Sequence, residues 1–330
     1  GKHLARMAQA VNTVWNYCNE VSMLAWRRDK KWLTHFDLTV LCGGVSRELG
    51  LHTDSIGEIC RVYADNRKEK KRFRLRWRSE KRSLGWIPFK ARLLKIDGDS
   101  VRYLKRRFRF WISRPISGTP KMGSFTQDAR GRWYIHFVCE VDDVGLPSGE
   151  NCIGIDLGLK QQVACSNGML FSRGNLTRKH ESALAMAQRA HKKRRVKAIH
   201  AKIANCRKDW AHKTTTTIVG VAREIFIGDI SIARLKKTNL AKSVFDAGWG
   251  QLRHMLAYKA IRLGVEYREV NEYSSSVTCS VCLHKTGPSG LSGLGVREWM
   301  CTDCGSQHHR DLNAAHNILR SGHATPAGIA

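Results

Sequence analysis

The sequence predicts an α+β chain built from two or three modules, and three observations carry that expectation. Its 330 residues exceed the usual size of one hydrophobic core. Apolar residues recur first at helical spacing, then in strand alternation, then as short apolar strands between amphipathic helices. Four of the eleven cysteines fall into two C-x2-C pairs, the mark of a separate metal-stapled element.

The elements follow in order. Residues 4–26 place Leu4, Met7, Val11, Val14, Trp15 and Cys18 on one helical face, and the helical pattern continues to residue 66 with breaks at Gly43 and Gly44. Residues 67–82, RKEKKRFRLRWRSEKR, hold ten basic residues in sixteen, with Phe73 and Trp77 interleaved. A run of charge by itself reads as a solvated face. The aromatics, together with a second basic run at 102–114, point instead to a surface that tracks phosphates and offers stacking platforms. Arg72, Arg74, Arg76, Trp77, Arg78, Arg106, Arg107 and Arg109 are the candidate nucleic-acid contacts there.

Residues 84–143 alternate, with turn signals at IDGDS and DARGR, and predict a small antiparallel sheet or barrel. GLPSGEN, residues 145–151, reads as a linker. The next segment, to residue 172, predicts a hairpin or three-stranded meander. Residues 178–209 read as a helix with eleven Lys and Arg, including Lys192, Lys193, Arg194 and Arg195 as further nucleic-acid candidates. A separate helix over about 210–223 leads to the strand EIFIGDIS, then an amphipathic helix ends at Gly264 and VEYREVNE forms another strand. Strands followed by alternating helices and strands predict a mixed sheet flanked by helices.

Charge narrows the partners. Against 28 Asp and Glu stand 57 Lys and Arg, a formal net charge of +29. So much self-repulsion is best relieved by a polyanion, and nucleic acid is the expected partner. A basic membrane-binding protein is the competing class, but the sequence has no apolar run of transmembrane length and no secretory signal, which predicts a soluble, cytoplasmic protein. Cys18, Cys42, Cys60, Cys139, Cys152, Cys165 and Cys206 lie scattered in apolar or mixed segments, as free thiols do in a reducing compartment.

Cys279 and Cys282 are separated from Cys301 and Cys304 by eighteen residues, the spacing of a four-thiolate zinc site. Four thiolates close the coordination sphere, so this zinc is structural. Two copies at this spacing weigh against a redox C-x-x-C. Two carboxylates invite a second metal. Asp156 ends an apolar strand, and Asp311 opens the helix of HHRDLNAAHNIL, where the simple alternatives are a strand-end residue and a helix cap. Paired metal ions acting on a phosphodiester need convergent carboxylates, and two are too few.

GIDLGLK, the two cysteine knuckles and HRDLNAAHNIL, in this order, resemble the RuvC-like nuclease domain of the TnpB family, transposon-encoded RNA-guided DNA nucleases related to compact type V CRISPR effectors. RMAQAVNTVWNYCNE resembles that family's first helix, and GSFTQDARGRWYIHF its wedge strands. The resemblance implies a helical REC-like region with the first wedge helix over 1–83, a β-barrel wedge region over 84–144 and the linker 145–151. It further implies an RNase H-like RuvC α/β domain over 152–277, an inserted zinc ribbon over 278–305 and a closing RuvC helix and tail over 306–330. It also implies a guide RNA from a transposon end or CRISPR array, double-stranded target DNA beside a short adjacent motif, magnesium, and a prokaryotic, nucleoid-associated setting.

Two departures stand out. The chain opens inside the family's first helix, so the leading wedge strand is missing from the sequence and the barrel is expected to be incomplete. In IFIGDIS, Gly228 stands where the family carries a catalytic Glu. Asp229 is adjacent but faces the other way along a strand. Either the nuclease is dead and the protein is an RNA-guided binder or repressor, or Glu272 on a neighbouring strand supplies the lost carboxylate. The second reading is favoured, with Glu269 on the opposite face from Glu272. Asp156, Glu272 and Asp311 would then hold two Mg²⁺, with Asp229 in support and Arg310 either contacting the scissile phosphate or forming a salt bridge. A metal-dependent transposase acting without RNA is the more distant alternative.

Overall fold

The computed structural model describes residues 1–142, 149–230, 241–290 and 292–324. The chain divides into two compact units, Gly1–Asp142 and Asp143–Ala330. Part of the expected linker, residues 145–148, and the tail 325–330 lie outside the described residues.

In the first unit α1 (Lys2–Asp29), α2 (His35–Leu41), α3 (Ser46–Leu49) and α4 (Thr53–Glu69) precede six strands. Thr34 and Asp37 form a reciprocal capping box at the start of α2. The apolar face read for α1 is buried, and Val11, Val14 and Cys18 share a core with Leu38, Ile59, Tyr63, Ile87 and Phe89. The polar side of α1 does something the hydrophobic pattern does not announce. Asn16 pairs with the backbone of Arg78 through two bonds of 2.8 Å, and Asn19 pairs with the backbone of Leu75 through two of 3.0 Å. Each amide imitates a neighbouring strand, so the basic segment after α4 is strapped along the helix.

The strands are β1 (Trp86–Lys90), β2 (Leu94–Asp97), β3 (Ser100–Tyr103), β4 (Arg106–Arg109), β5 (Thr119–Gln127) and β6 (Trp133–Glu140). They form two open antiparallel sheets, in the orders β1-β5-β6 and β2-β3-β4. This corrects the expected β-barrel: among the described residues no ladder joins the two sheets. A single 3-10 turn at Ala91–Leu93 carries the chain out of the first sheet after β1, and the four-residue strands beyond it pair only with each other.

The second unit begins with β7 (Asn151–Asp156), β8 (Val163–Cys165) and β9 (Leu170–Phe171), the expected meander. Then come α5 (Leu176–Lys179), α6 (Glu181–Arg189), α7 (Lys193–Val221), β10 (Ala222–Gly228), α8 (Ala241–Ala247), α9 (Trp249–Arg262) and β11 (Glu266–Val270). Two short strands, β12 (Glu298–Met300) and β13 (Gln307–His309), and α10 (Arg310–Ala324) complete it. The five-stranded sheet has the order β11-β10-β7-β8-β9, with β11, β10 and β7 mutually parallel and the β7–β8 and β8–β9 pairings antiparallel, the mixed sheet foreseen.

The helices differ from expectation. One helix was predicted over 178–209 and another over 210–223; instead the chain breaks at 190–192, where His191 adopts φ 50°, and α7 then runs unbroken for 29 residues. Its apolar stripe changes partner midway: Ile199 and Ile203 pack with Ala187 of α6, whereas Ile218 and Val219 join the core under the sheet. That change of partner looks like a boundary in the pattern, yet no Gly or Pro lies between Lys193 and Val219 to interrupt the backbone. Buried Asp246 on α8 accepts from Thr177 Oγ1 at 2.7 Å and Arg207 Nη2 at 2.9 Å, tying α5 and α7 to the same layer.

Helix α10 lies unusually close to the sheet. A β-carbon on Gly154 of β7 would stand 2.1 Å from the Ala315 carbonyl oxygen, and one on Gly322 would stand 2.2 Å from the ring of Phe226. Approach on this scale, to backbone at Gly154 and to a buried ring at Gly322, leaves no room for a side chain at either place. It fixes how far the start of α10 sits from the end of β7.

Candidate active site

Because β7, β10 and β11 run parallel, their C-terminal ends share one edge of the sheet, the edge where open α/β sheets bind ligands. Ile155 pairs with Ile227, and Gly228 with Val270, so Asp156, Gly228 and Val270 form one row across the three strands. Asp156 is half-buried there. Its neighbour in the row carries no side chain.

Glu272 fills that place. A β-carbon on Gly228 would lie 2.5 Å from Glu272 Oε2 and 3.0 Å from Glu272 Cβ, with Ile318 Cδ1 at 3.3 Å. Gly228 has no positive φ to justify it, so its role is steric: it leaves room for a carboxylate arriving from the next strand. Asp229 braces this arrangement. Its amide donates to the Val270 carbonyl at 2.9 Å, and its Oδ1 accepts from the Glu272 amide at 3.3 Å. Glu269 is engaged elsewhere, bonded to Arg253 Nε and to Tyr267 Oη, each at 3.1 Å.

Asp311 is buried in the first turn of α10, where the helix dipole favours a negative charge. It does not act as a free cap. Arg297, just before β12, donates from Nη1 to both of its carboxylate oxygens, at 2.9 and 3.2 Å. Arg310 differs from the salt bridge considered for it: its amide donates to the Arg297 carbonyl at 2.7 Å, and its guanidinium donates to the Gly293 carbonyl. Arg297 was missed in the sequence because it sits in a glycine-rich connection with no hydrophobic period to mark it.

The electrostatics couple the carboxylates. Burial, then the charges of Asp311 and Glu272, raises the Asp156 pKa to about 7, against the opposing pull of Arg310 and Arg297. Burial, then Asp229, raises Glu272 to about 7. Among the described residues the oxygens of Asp156, Glu272 and Asp311 do not all fall within 4.8 Å of one another. Like charges at short range repel, and Arg297 holds Asp311. The set consists of hard oxygen donors whose mutual repulsion a divalent cation would relieve, which suits magnesium.

This has a pH consequence. Both folded-state pKa values lie above the ordinary carboxyl range near 4, so between roughly pH 4 and 7 the folded state holds more protons than the unfolded one. In chelator, stability is expected to fall as pH rises through that window and to level off above about 7; magnesium, which competes with those protons, should restore it most at the alkaline end. Thermal unfolding across pH, with EDTA and with Mg²⁺, measures this, and a magnesium effect that is equal at all pH values would contradict it.

The cysteine pairs meet. Cys279 and Cys304 sulfurs are 3.8 Å apart, those of Cys282 and Cys301 are 3.5 Å apart, and all four fall within 4.8 Å of one another. The two knuckles share one turn: Cys279 and Cys301 carbonyls accept from Leu283 and Gly305, which have φ of 70° and 71°. Thr286 Oγ1 lies 3.1 Å from Cys301, and His308 Nε2 3.0 Å from Cys279, polar neighbours of the kind that orient thiolate ligands. This donor set fits zinc. Asn313 and Asn317 of α10 each donate to the Thr278 carbonyl at 2.7 Å, so the cage is fastened to the helix that carries Asp311.

The basic candidates divide. Arg72, Arg74, Arg76 and Trp77 are exposed along the strap. Arg78 is not available: it donates to Asn12 Oδ1 at 2.7 Å and to the Leu84 carbonyl at 2.8 Å, lies over Trp15 and Trp86, and its role is to hold the strap. Arg107 and Arg109 pair with Asp97 and Asp99 at 3.1 and 3.0 Å on exposed ground, and Arg106 is exposed on the same strand. Lys192, Lys193, Arg194 and Arg195 are exposed at the start of α7, which has no acidic residue in its first turn. Cations oppose the dipole there, so a bound anion would relieve them. No described helix is long and apolar enough to cross a membrane.

Comparison with known proteins adds to this. Residues 136–239 match the OrfB_IS605 family model, "Probable transposase", and residues 249–318 match the Cas12f1-like TNB domain model. A Streptomyces pristinaespiralis protein named "Putative RNA-guided DNA endonuclease" is 35% identical over 231 residues, 65% of this chain and 56% of the relative. The Escherichia coli K12 "Putative RNA-guided DNA endonuclease InsQ" is 28% identical over 267 residues, 71% of this chain and 65% of the relative. The chain therefore spans less than two thirds of either relative. A solved Cas12f1–sgRNA–target DNA complex contains a chain that is 14% identical, with a TM-score of 0.41, over 96% of this chain and 94% of that one.

Proposed function

We propose that this chain, which belongs to the TnpB family, is an RNA-guided DNA endonuclease whose Asp156, Glu272 and Asp311 hold magnesium in an RNase H-like, RuvC-type site. The observation that carries the reading is the Glu272 side chain lying in the space that a side chain on Gly228 would need. Magnesium bound there would activate a water for attack on a phosphodiester and stabilise the departing oxygen.

The chain's own residues do the rest. Asp156 and Glu272 give up protons at about neutral pH, which sets the lower limit for metal loading. Asp229 fixes the backbone of Glu272, and Arg297 orients Asp311. Zinc in the cage would hold the connection that carries Arg297. The exposed Arg72, Arg74, Arg76, Trp77, Arg106 and Lys192–Arg195 would bind guide RNA and heteroduplex by backbone and stacking, while base pairing reads the target sequence. The module boundaries given above for the REC-like, wedge, RuvC and zinc-ribbon regions belong to the same proposal.

Gly228 itself favours a second reading, a nuclease-inactive RNA-guided repressor. One experiment separates these. RNA that copurifies with the protein is sequenced, and a matched double-stranded target is supplied with Mg²⁺ or with EDTA. Guided endonuclease activity requires a discrete bound RNA and magnesium-dependent cuts. Bound RNA with target binding but no cuts means a repressor, and cutting without RNA means a transposase-like enzyme.

A further inference from the structure

A second cysteine cluster lies in the N-terminal unit. Three helices each bring one thiol to a common point: Cys18 from the middle of α1, Cys42 from the residue that closes α2, and Cys60 from the middle of α4. Cys18 and Cys60 sulfurs are 3.8 Å apart, those of Cys60 and Cys42 are 3.9 Å apart, and all three lie within 4.8 Å of one another. Their relative exposures are 0%, 4% and 0%, inside the core that contains Leu38, Ile59 and Tyr63.

The separations match those of ligands. Sulfurs about 2.3 Å from a shared ion stand roughly 3.8 to 4.0 Å apart, whether the ion is tetrahedral or trigonal. The cage in the other unit, with its zinc-type spacing, has sulfurs 3.5 and 3.8 Å apart. A threonine borders each cluster, Thr39 at Cys60 and Thr286 at Cys301. Buried thiols also pack as small apolar groups, but packing alone has no need to gather one from each of three helices.

We propose that Cys18, Cys42 and Cys60 form a second thiolate site, which binds a soft divalent cation of the zinc group and clamps α1, α2 and α4 together. On binding, three S–H bonds break, three metal–sulfur bonds form, and three protons leave to solvent; no electron is transferred. Three thiolates around a divalent ion leave one residual negative charge, half that of a four-thiolate cage, and so cost less to bury. The clamp reaches the surface through α1, whose Asn12, Asn16 and Asn19 hold the strap that presents Arg74, Arg76 and Trp77.

The test is a cadmium(II) titration of the metal-stripped full chain, followed by thiolate-to-cadmium charge-transfer absorbance, with circular dichroism to confirm folding. The wild type should take up two thiolate-bound cadmium ions. Cys42→Ala, a change at the end of a short helix, should take up one. The variant Cys279→Ser with Cys301→Ser, which leaves the three core thiols untouched, should also retain one. A single ion in the wild type, no ion in the cage variant, or two in Cys42→Ala would mean that the core thiols are only packed, and would overturn the proposal.

Discussion

Glu272→Gln is expected to leave guided target binding intact and to reduce cleavage by more than about a hundredfold, since losing a metal ligand exceeds the roughly 10- to 100-fold cost of losing a partner that merely orients one. Gln keeps the shape that fills the space over Gly228, so the fold loses nothing. What it removes is a negative charge and an anionic oxygen. The charge also raises the Asp156 pKa, so the residual activity of Glu272→Gln should show its acid limb at lower pH than the wild type. That shift distinguishes a ligand from a packing residue. Glu269→Gln is the control, because Glu269 is bonded to Arg253 and Tyr267 instead. Wild-type cleavage by Glu272→Gln would remove Glu272 from the chemistry and leave a nuclease that does without a carboxylate in that volume.

The residues that could be read in advance are those whose chemistry is local in sequence. Two C-x2-C pairs declare themselves by spacing, whereas Asp156 and Asp311 stand at a strand end and a helix start and became candidates through the family resemblance. The proposed exchange between Gly228 and Glu272 rested on the family resemblance, which implies a Glu at 228, while the alternation of strand faces only set Asp229 aside. What escaped depends on contacts between segments far apart. Arg297 has no pattern to mark it, yet it pairs with Asp311. Arg78 looked like its neighbours in a basic run, but Asn12 and two tryptophans occupy it. Cys18, Cys42 and Cys60 read as scattered thiols because each belongs to a different helix, and only packing brings them together. The barrel failed for the opposite reason: alternation announces strands but says nothing about which edges pair, and one 3-10 turn at Ala91–Leu93 was enough to split the sheet.

A reciprocal exchange tests the site more severely than loss of function can. Gly228→Glu alone would place a β-carbon 2.5 Å from Glu272 Oε2, and two carboxylates would then contend for one volume. The nearest obstacle is the far end of a flexible side chain, and Glu272 Cβ and Ile318 Cδ1, at 3.0 and 3.3 Å, need give only by a few tenths of an ångström, so the variant should fold, with Glu272 displaced and cleavage impaired. Glu272→Ser alone vacates the space and removes the ligand, and it too should be inactive. Combining Gly228→Glu with Glu272→Ser moves the carboxylate from the end of β11 to the end of β10, beside Asp156 in the same row. If the site needs one carboxylate in that volume and is indifferent to which strand supplies it, the double variant should recover cleavage over Glu272→Ser. Residues that share one volume couple by up to about 3 kcal/mol, on the order of a hundredfold in rate. Cleavage by the double variant no faster than by Glu272→Ser, with both folded and both binding target, would show that Glu272 works through its own strand and does not stand in for position 228.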